Sequence, residues 1–195
     1  QPRIPITARL VADMIEVAGA DRYITMDLHA GQIQGFFSIP GDVLTAFYIH
    51  VDYLRSIKDR MHSPVVVTAD LGFAKKARNY AAAMNIPLSF IEKRRMGNDA
   101  KAQALTLIGD VYDRDAIIVD DEVDTGGSIV QAVNLVKDNG ARNVYVIFVH
   151  PVLSLNAADR LAALPVTEFI ATDTIPIPPE KRALFGDRLR ILSVA

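Results

Sequence analysis

The chain has 195 residues, half of them hydrophobic, a mean hydropathy of +0.19 and a formal net charge of −2. Charge this close to neutral removes the electrostatic case for nucleic acid or an anionic membrane as partner, and the absence of cysteine excludes a disulfide framework and thiolate chemistry. No apolar run reaches the roughly eighteen residues a membrane span needs, no signal peptide is visible, and the cytoplasm is the default location.

In chain order, Thr7–Val17 is predicted to be a helix, with Leu10, Val11, Met14 and Ile15 forming an apolar stripe, Thr7 capping it and Gly19 ending it. Strands are expected near 23–27, 65–69, 88–92, 116–120, 143–149, 167–172 and 189–194. Helical patterns fall near 50–61, 74–84, 100–108, 128–138 and 156–163. Asn139-Gly140 reads as a helix stop, and Pro176, Pro178 and Pro179 mark a loop that cannot join a ladder. Such alternation predicts an α/β fold, a mainly parallel sheet covered by helices on both faces. A sheet buried in this way accounts for the apolar composition, as subunit interfaces also would. The fuller unit is expected over 46–195, with 1–45 the closing part of a similar preceding domain. His50 and His62 read as surface residues, and His150 as structural.

Four segments carry chemistry. The first, residues 26–40, reads MDLHAGQIQGFFSIP; Asp27 and His29 alternate with Leu28 at a strand end, and period-two spacing puts both on one side. A carboxylate with an imidazole suits a divalent metal bound along with triphosphate oxygens, although on spacing alone His29 reads as a hydrogen-bonded histidine beside a strand. Further on, the apolar run Pro64–Ala69 ends in Asp70, then Leu71, Gly72 and a basic helix start, AKKAR; there Asp70 also reads as a helix cap. In residues 87–101, PLSFIEKRRMGNDAK, three cations (Lys93, Arg94 and Arg95) leave a strand together, which by itself reads as a solvated loop. Residues 116–130, AIIVDDEVDTGGSIV, are the most informative. A buried strand running abruptly into Asp120 and Asp121 presents acids at its C-terminal tip. Asp124, Thr125, Gly126, Gly127 and Ser128 then allow a tight turn whose amides and following helix can seat a phosphate. No Lys follows the glycines, so this is not the common nucleoside-triphosphate loop. Acids beside a phosphate cradle suit a phosphorylated sugar, whereas acids and glycines after a strand also occur in plain turns.

The 116–130 pattern resembles the phosphoribosyl-diphosphate (PRPP) loop shared by type I phosphoribosyltransferases and ribose-phosphate diphosphokinases. The 26–40 segment resembles the signature of ribose-phosphate diphosphokinases (PRPP synthetases), which phosphoribosyltransferases do not carry. The likeness runs along essentially the whole chain and implies a type I phosphoribosyltransferase-like fold. Residues 1–45 would then close an N-terminal domain of that type, and 46–195 would carry the ribose 5-phosphate loop. The family is longer at both ends, so truncation is expected. The implied reaction moves the diphosphoryl group of Mg-ATP to ribose 5-phosphate, giving PRPP and AMP. By the resemblance Asp120, Asp121 and Asp124 orient the ribose, and Thr125, Gly126, Gly127 and Ser128 hold its phosphate. His29, Asp27 and Asp70 attend Mg2+. Lys93 and Arg95 are catalytic and sit on a mobile hairpin, while Gln34 and Asp42 border an effector site for ADP or phosphate at subunit contacts. The family also implies a homo-oligomer of dimers assembling to a hexamer. This chain departs from the pattern at Phe73, where a glycine is common, at Leu155 and Asn156, which replace a Gly-Pro, and at Val43, where a polar residue is frequent. Two alternatives stay open: a type I phosphoribosyltransferase, and a non-catalytic regulatory subunit of the same fold.

Overall fold

A computed structural model describes residues 6–69, 71–95 and 103–195. The chain divides into two compact units, one running to Ala46 and the other over Phe47–Ala195.

The first unit holds α1 (Thr7–Val17), β1 (Tyr23–Met26), a 3-10 turn over Gly31–Phe36, and β2 (Gly41–Leu44). Thr7 is the first helical residue rather than the cap: Ile6 stands at the cap position, where an alkyl side chain cannot accept an amide hydrogen bond. β1 and β2 are parallel, Tyr23 opposite Gly41. Tyr23 stacks on Phe37 with ring centroids 4.1 Å apart, and the ring occupies the space a Cβ on Gly41 would need. Glycine is therefore required there by contact rather than by backbone angle.

In the second unit the elements are α2 (Phe47–Ile57), β3 (Val65–Thr68), α3 (Ala74–Met84), β4 (Leu88–Arg95), β5 (Gln103–Ile108), β6 (Ala116–Glu122), α4 (Gly127–Asp138), β7 (Val144–His150), α5 (Ala157–Ala162), β8 (Glu168–Thr172), α6 (Pro179–Phe185) and β9 (Leu189–Leu192). A seven-stranded sheet runs β5-β4-β3-β6-β7-β8-β9, parallel except for the β4–β5 pair. Side chains alternate across it. Val65, Val67, Ile118, Val146, Phe148 and Phe169 face one core, which includes Ile129 and Val133 of α4 and Leu161 of α5. The intervening Val66, Ile117, Val119, Ile147 and Ile170 face a second core, with Leu54 of α2 and Ala77, Tyr80 and Met84 of α3. Burial on both faces explains why these strands read as unbroken apolar runs. Each fully buried Ile or Phe contributes about 1.5–3 kcal/mol.

Three further sequence expectations change. The pattern near 100–108 is not a helix: Gln103–Ile108 forms β5, antiparallel to β4, with Leu105 and Leu107 alternating onto the core. At this margin of the sheet the period-two pattern of Leu105 and Leu107 outweighs helix propensity. His50 is not a surface residue; it is 0% exposed, its Nδ1 2.9 Å from the Tyr80 hydroxyl. Pro179 does not lie in a loop but opens α6 at the first helical position, which needs no amide donor. One buried carboxylate has a clear structural task. Asp115, 0% exposed, accepts the His62 amide at 3.0 Å and the Asn143 side-chain amide at 2.9 Å. It thereby ties together the chain entering β3, β6 and β7. Among the described residues no helix is long and apolar enough to cross a membrane.

Candidate functional site

The order of the sheet predetermines where a ligand can sit. From β3 the chain moves outward to β4, and after returning to β6 it moves outward the other way to β7. The connections therefore leave in opposite directions from two adjacent parallel strands. In open α/β sheets the crevice at the carboxyl ends of such a pair is the binding position. β3 ends at Thr68, level with Val119 of β6, and β6 continues to Asp120, Asp121 and Glu122.

Asp120 is half-buried and Asp121 is 6% exposed. Each carboxylate accepts the amide that follows it: Asp121 N–H donates to Asp120 Oδ1 and Glu122 N–H to Asp121 Oδ1, both at 2.9 Å. These local bonds hold the two side chains in place at the strand tip. Past Val123 the loop is clamped from outside. The Val123 amide donates to the His150 carbonyl at 3.0 Å, the Leu153 amide to the Val123 carbonyl at 2.9 Å, and the Ser154 amide to the Asp124 carbonyl at 3.0 Å. The Ser154 hydroxyl also donates to the Asp124 carboxylate. Asp124 and Thr125 are exposed, and Gly126 turns the chain with φ +74° directly before α4. A side chain is disfavoured there by the backbone angle rather than by space, since its Cβ would meet Leu161 at an ordinary contact distance of 3.4 Å. Because Gly126 brings no side chain, α4 starts without a side-chain cap, leaving its positive dipole end to an incoming anion. Beside Gly127 an imagined Cβ would stand 3.6 Å from Arg160 Nη2 and 3.9 Å from Thr125 Oγ1. Exposed Ser128 follows in the first turn. The structure thus gathers Asp120, Asp121, Asp124, Thr125, Gly126, Gly127 and Ser128 into one strand-turn-helix junction. Its chemistry is that of hydroxyl acceptors next to an anion seat.

The cationic run lies on a strand rather than a loop. β4 extends past its pairing with β3, and its last residues pair with β5, Lys93 opposite Leu105 and Arg95 opposite Gln103. Asp70 lies outside the described residues. Phe73, where the family pattern commonly has glycine, is 8% exposed and packs within the second core, with Lys76 Nζ 5.2 Å from its ring centre. His150 has the structural part expected of it. Its Nδ1 lies 3.0 Å from Thr174 Oγ1, and its carbonyl supports Val123.

The remaining candidates lie in the first unit. β1 stops at Met26 because Asp27 adopts φ +41°, so the period-two argument for Asp27 and His29 does not apply. The Asp27 carboxylate accepts the Thr45 hydroxyl at 3.0 Å and the Ala46 amide at 2.7 Å, and His29 is exposed. Gln34 is exposed on the 3-10 turn, while Asp42 on β2 is paired with Arg22 at 2.6 Å. Among the described residues no three His, Asp or Glu side chains are grouped so that they could hold a metal. Magnesium usually keeps several waters and takes only one or two carboxylates along with substrate phosphates. The donors present fit an ion that arrives with a nucleotide better than a cage built by the protein alone. Sequence reasoning missed Ser154 and Arg160, since no motif spacing ties either to residues 124–127. The segment after β7 carries Ser154 to Asp124, and the packing of α5 beside α4 carries Arg160 to Gly127.

Comparison with known proteins gives a consistent relationship. Residues 95–194 match the phosphoribosyl synthetase-associated domain. A ribose-phosphate pyrophosphokinase of Caldanaerobacter subterraneus subsp. tengcongensis is 46% identical over 193 residues, covering 99% of this chain and 60% of the relative. One from Burkholderia pseudomallei is 44% identical, covering 99% and 59%. Among solved structures, the phosphoribosylpyrophosphate synthetase of Mycobacterium smegmatis superposes with a TM-score of 0.89 at 40% identity, over 98% of this chain and 61% of that one. The chain therefore spans about 60% of the length of the curated relatives it matches.

Proposed function

The chain belongs to the phosphoribosyl synthetase family, and from that premise we propose that it transfers the diphosphoryl group of ATP to the 1-hydroxyl of ribose 5-phosphate, releasing PRPP and AMP. The observation that carries this reading is the β6–α4 junction, where two fixed carboxylates stand next to a glycine turn and a helix without a side-chain cap. In this reading Asp120, Asp121 and Asp124 accept hydrogen bonds from the ribose hydroxyls, and Thr125, Gly126, Gly127 and Ser128 hold the 5-phosphate. Fixing the sugar in advance lets binding energy offset part of the entropic barrier before the chemical step. The 1-hydroxyl oxygen then bonds to the β-phosphorus. The bond from that phosphorus to the oxygen bridging to the α-phosphorus breaks, its electron pair leaves with AMP, and the hydroxyl proton is released. Lys93 and Arg95 would neutralise charge gathering on the transferred group; in phosphoryl transfer, positioning and charge carry most of the rate. Magnesium, bound with the triphosphate, would supply further neutralisation, and Asp27, His29 and Asp70 are the residues that would help to hold it. Gln34 and Asp42 would border an effector site for ADP or phosphate. The remaining parts of the proposal are a cytoplasmic location and a homo-oligomer built from dimers.

Calorimetry tests the site. Ribose 5-phosphate should bind one to one, and joint replacement Asp120→Asn and Asp121→Asn should weaken binding by roughly tenfold or more, since hydrogen bonds to charged acceptors are worth about 1.5–3 kcal/mol each. A titration without heat on natively folded protein would sink the reading. Phosphorus NMR of a mixture with Mg-ATP tests the chemistry, for which AMP and PRPP should appear in equal amounts. ADP as the nucleotide product would reject diphosphoryl transfer.

A further inference from the structure

Within the proposed sugar-phosphate site the electrostatics do not balance. Residues 116–130 contain four acids (Asp120, Asp121, Glu122 and Asp124) and no base. A phosphate dianion brought to this loop meets one partial positive charge, the end of α4, equivalent to about half an elementary charge. The acids that recognise ribose hydroxyls therefore repel the other end of the same ligand, and a cation from elsewhere in the fold would offset that repulsion.

Arg160 is placed to do so. It lies on α5, far from the loop in sequence, and α5 packs beside α4 through Ala157 and Leu161, whose side chains lie against the space over Gly126. The Arg160 guanidinium ends 3.6 Å from where a Cβ of Gly127 would stand, and the Thr125 hydroxyl is 3.9 Å from the same point. The missing side chain of Gly127 thus leaves a space bounded by a guanidinium, a hydroxyl and a helix start. Neither acidic groups nor carbonyls of the described residues take up the guanidinium: the ion pairs and side-chain hydrogen bonds found among them leave it without a carboxylate. A planar guanidinium in this position matches two phosphate oxygens at once.

We propose that Arg160 is a phosphate-binding and specificity-determining residue of this site: it grips the terminal phosphate across Gly127 and so selects a phosphorylated pentose over the free sugar. The inference rests on the sugar-phosphate reading of the β6–α4 junction and adds a residue that the loop motif does not contain. Because Arg160 is exposed, its replacement should leave folding intact.

The test is calorimetry of ribose 5-phosphate on the full chain, comparing the natural protein with Arg160→Gln and Arg160→Lys at low and high salt. Loss of one charge-assisted pair should raise the dissociation constant roughly ten- to hundredfold in Arg160→Gln. Arg160→Lys should fall between the two, and the penalty should shrink as salt screens the pair. Unchanged affinity in Arg160→Gln, with the natural protein binding normally, overturns the role of Arg160 alone. A penalty independent of salt, or a lowered thermal midpoint without ligand, marks a structural role and overturns it too. Failure of the natural protein to bind overturns the site reading, and this inference falls with it.

Discussion

Two neighbouring glycines at the β6–α4 junction hold their places for different reasons. Gly126 has φ +74° and faces Leu161, whereas Gly127 has an ordinary helical backbone and room for a Cβ in normal contact with Arg160 and Thr125. Gly126→Ala should therefore destabilise the protein by about 1–2 kcal/mol, the cost of a left-handed alanine, seen as a lower midpoint in urea. Gly127→Ala should keep that midpoint or raise it, because alanine favours a helix start over glycine, yet weaken ribose 5-phosphate binding by filling the anion space. Equal midpoints for the two variants would refute the distinction. The sequence displayed both glycines and the acids before them, since a buried strand ending in carboxylates is a pattern within fifteen consecutive residues. It did not display the left-handed turn at Asp27, where a non-glycine residue is held by bonds to Thr45 and Ala46. Nor did it reveal Ser154, placed by the bonds of the segment after β7 to residues 123 and 124, or Arg160, whose position depends on how α5 packs.

At the level of elements, α2 is fastened to the sheet by a polar clasp as well as by its apolar face. The Tyr53 hydroxyl donates to Glu168 of β8 at 2.5 Å, and Arg190 of β9 lies 3.6 Å from the same carboxylate. Partial burial, then the neighbouring carboxylate, push the Tyr53 hydroxyl above the ordinary tyrosine value of 10.0. Because the folded state holds this proton more tightly than the unfolded chain does, the clasp contributes fully below pH 10.0 and is lost as pH rises through the folded value. The stability difference between the natural protein and Tyr53→Phe should stay constant from neutral pH to about 10 and decline only as pH rises beyond it, through the folded value. A difference that grows with alkalinity would contradict the assignment. Long parallel strands were legible because both faces are buried and their residues are apolar throughout. β2 and α6 were not, being four and seven residues long. β5 was misread because Gln103–Ile108 joins helix-forming residues to an alternation that only pairing with β4 makes visible.

For the molecule as a whole, both hydrophobic cores consist of residues between Val51 and Phe185, so Phe47–Ala195 contains everything its sheet needs to fold. A fragment of those residues should unfold in a single cooperative transition and still bind ribose 5-phosphate, because the β6–α4 junction lies inside it. Lacking Asp27 and His29, it should not release AMP from Mg-ATP. Binding lost along with the first unit, while circular dichroism still reports the fold, would contradict this division of labour. The α/β class was apparent from alternating strand and helix patterns. Less apparent was the strand order, which depends on the direction each connection takes and leaves no mark in local sequence.

The same Arg190 that completes the polar clasp has a consequence for how molecules meet one another. Among the described residues β9 is the outermost strand of the sheet on its side, and an outermost strand offers unpaired amides and carbonyls to any extended segment that approaches. A bulky cation midway along Leu189–Leu192 discourages such strand addition, much as edge charges do in other β-proteins. Arg190→Ile would turn that margin into an uncharged LIIL ribbon, and light scattering of concentrated solutions should then climb with time. A variant that stays as clear as the natural protein would show that the margin is guarded by something else.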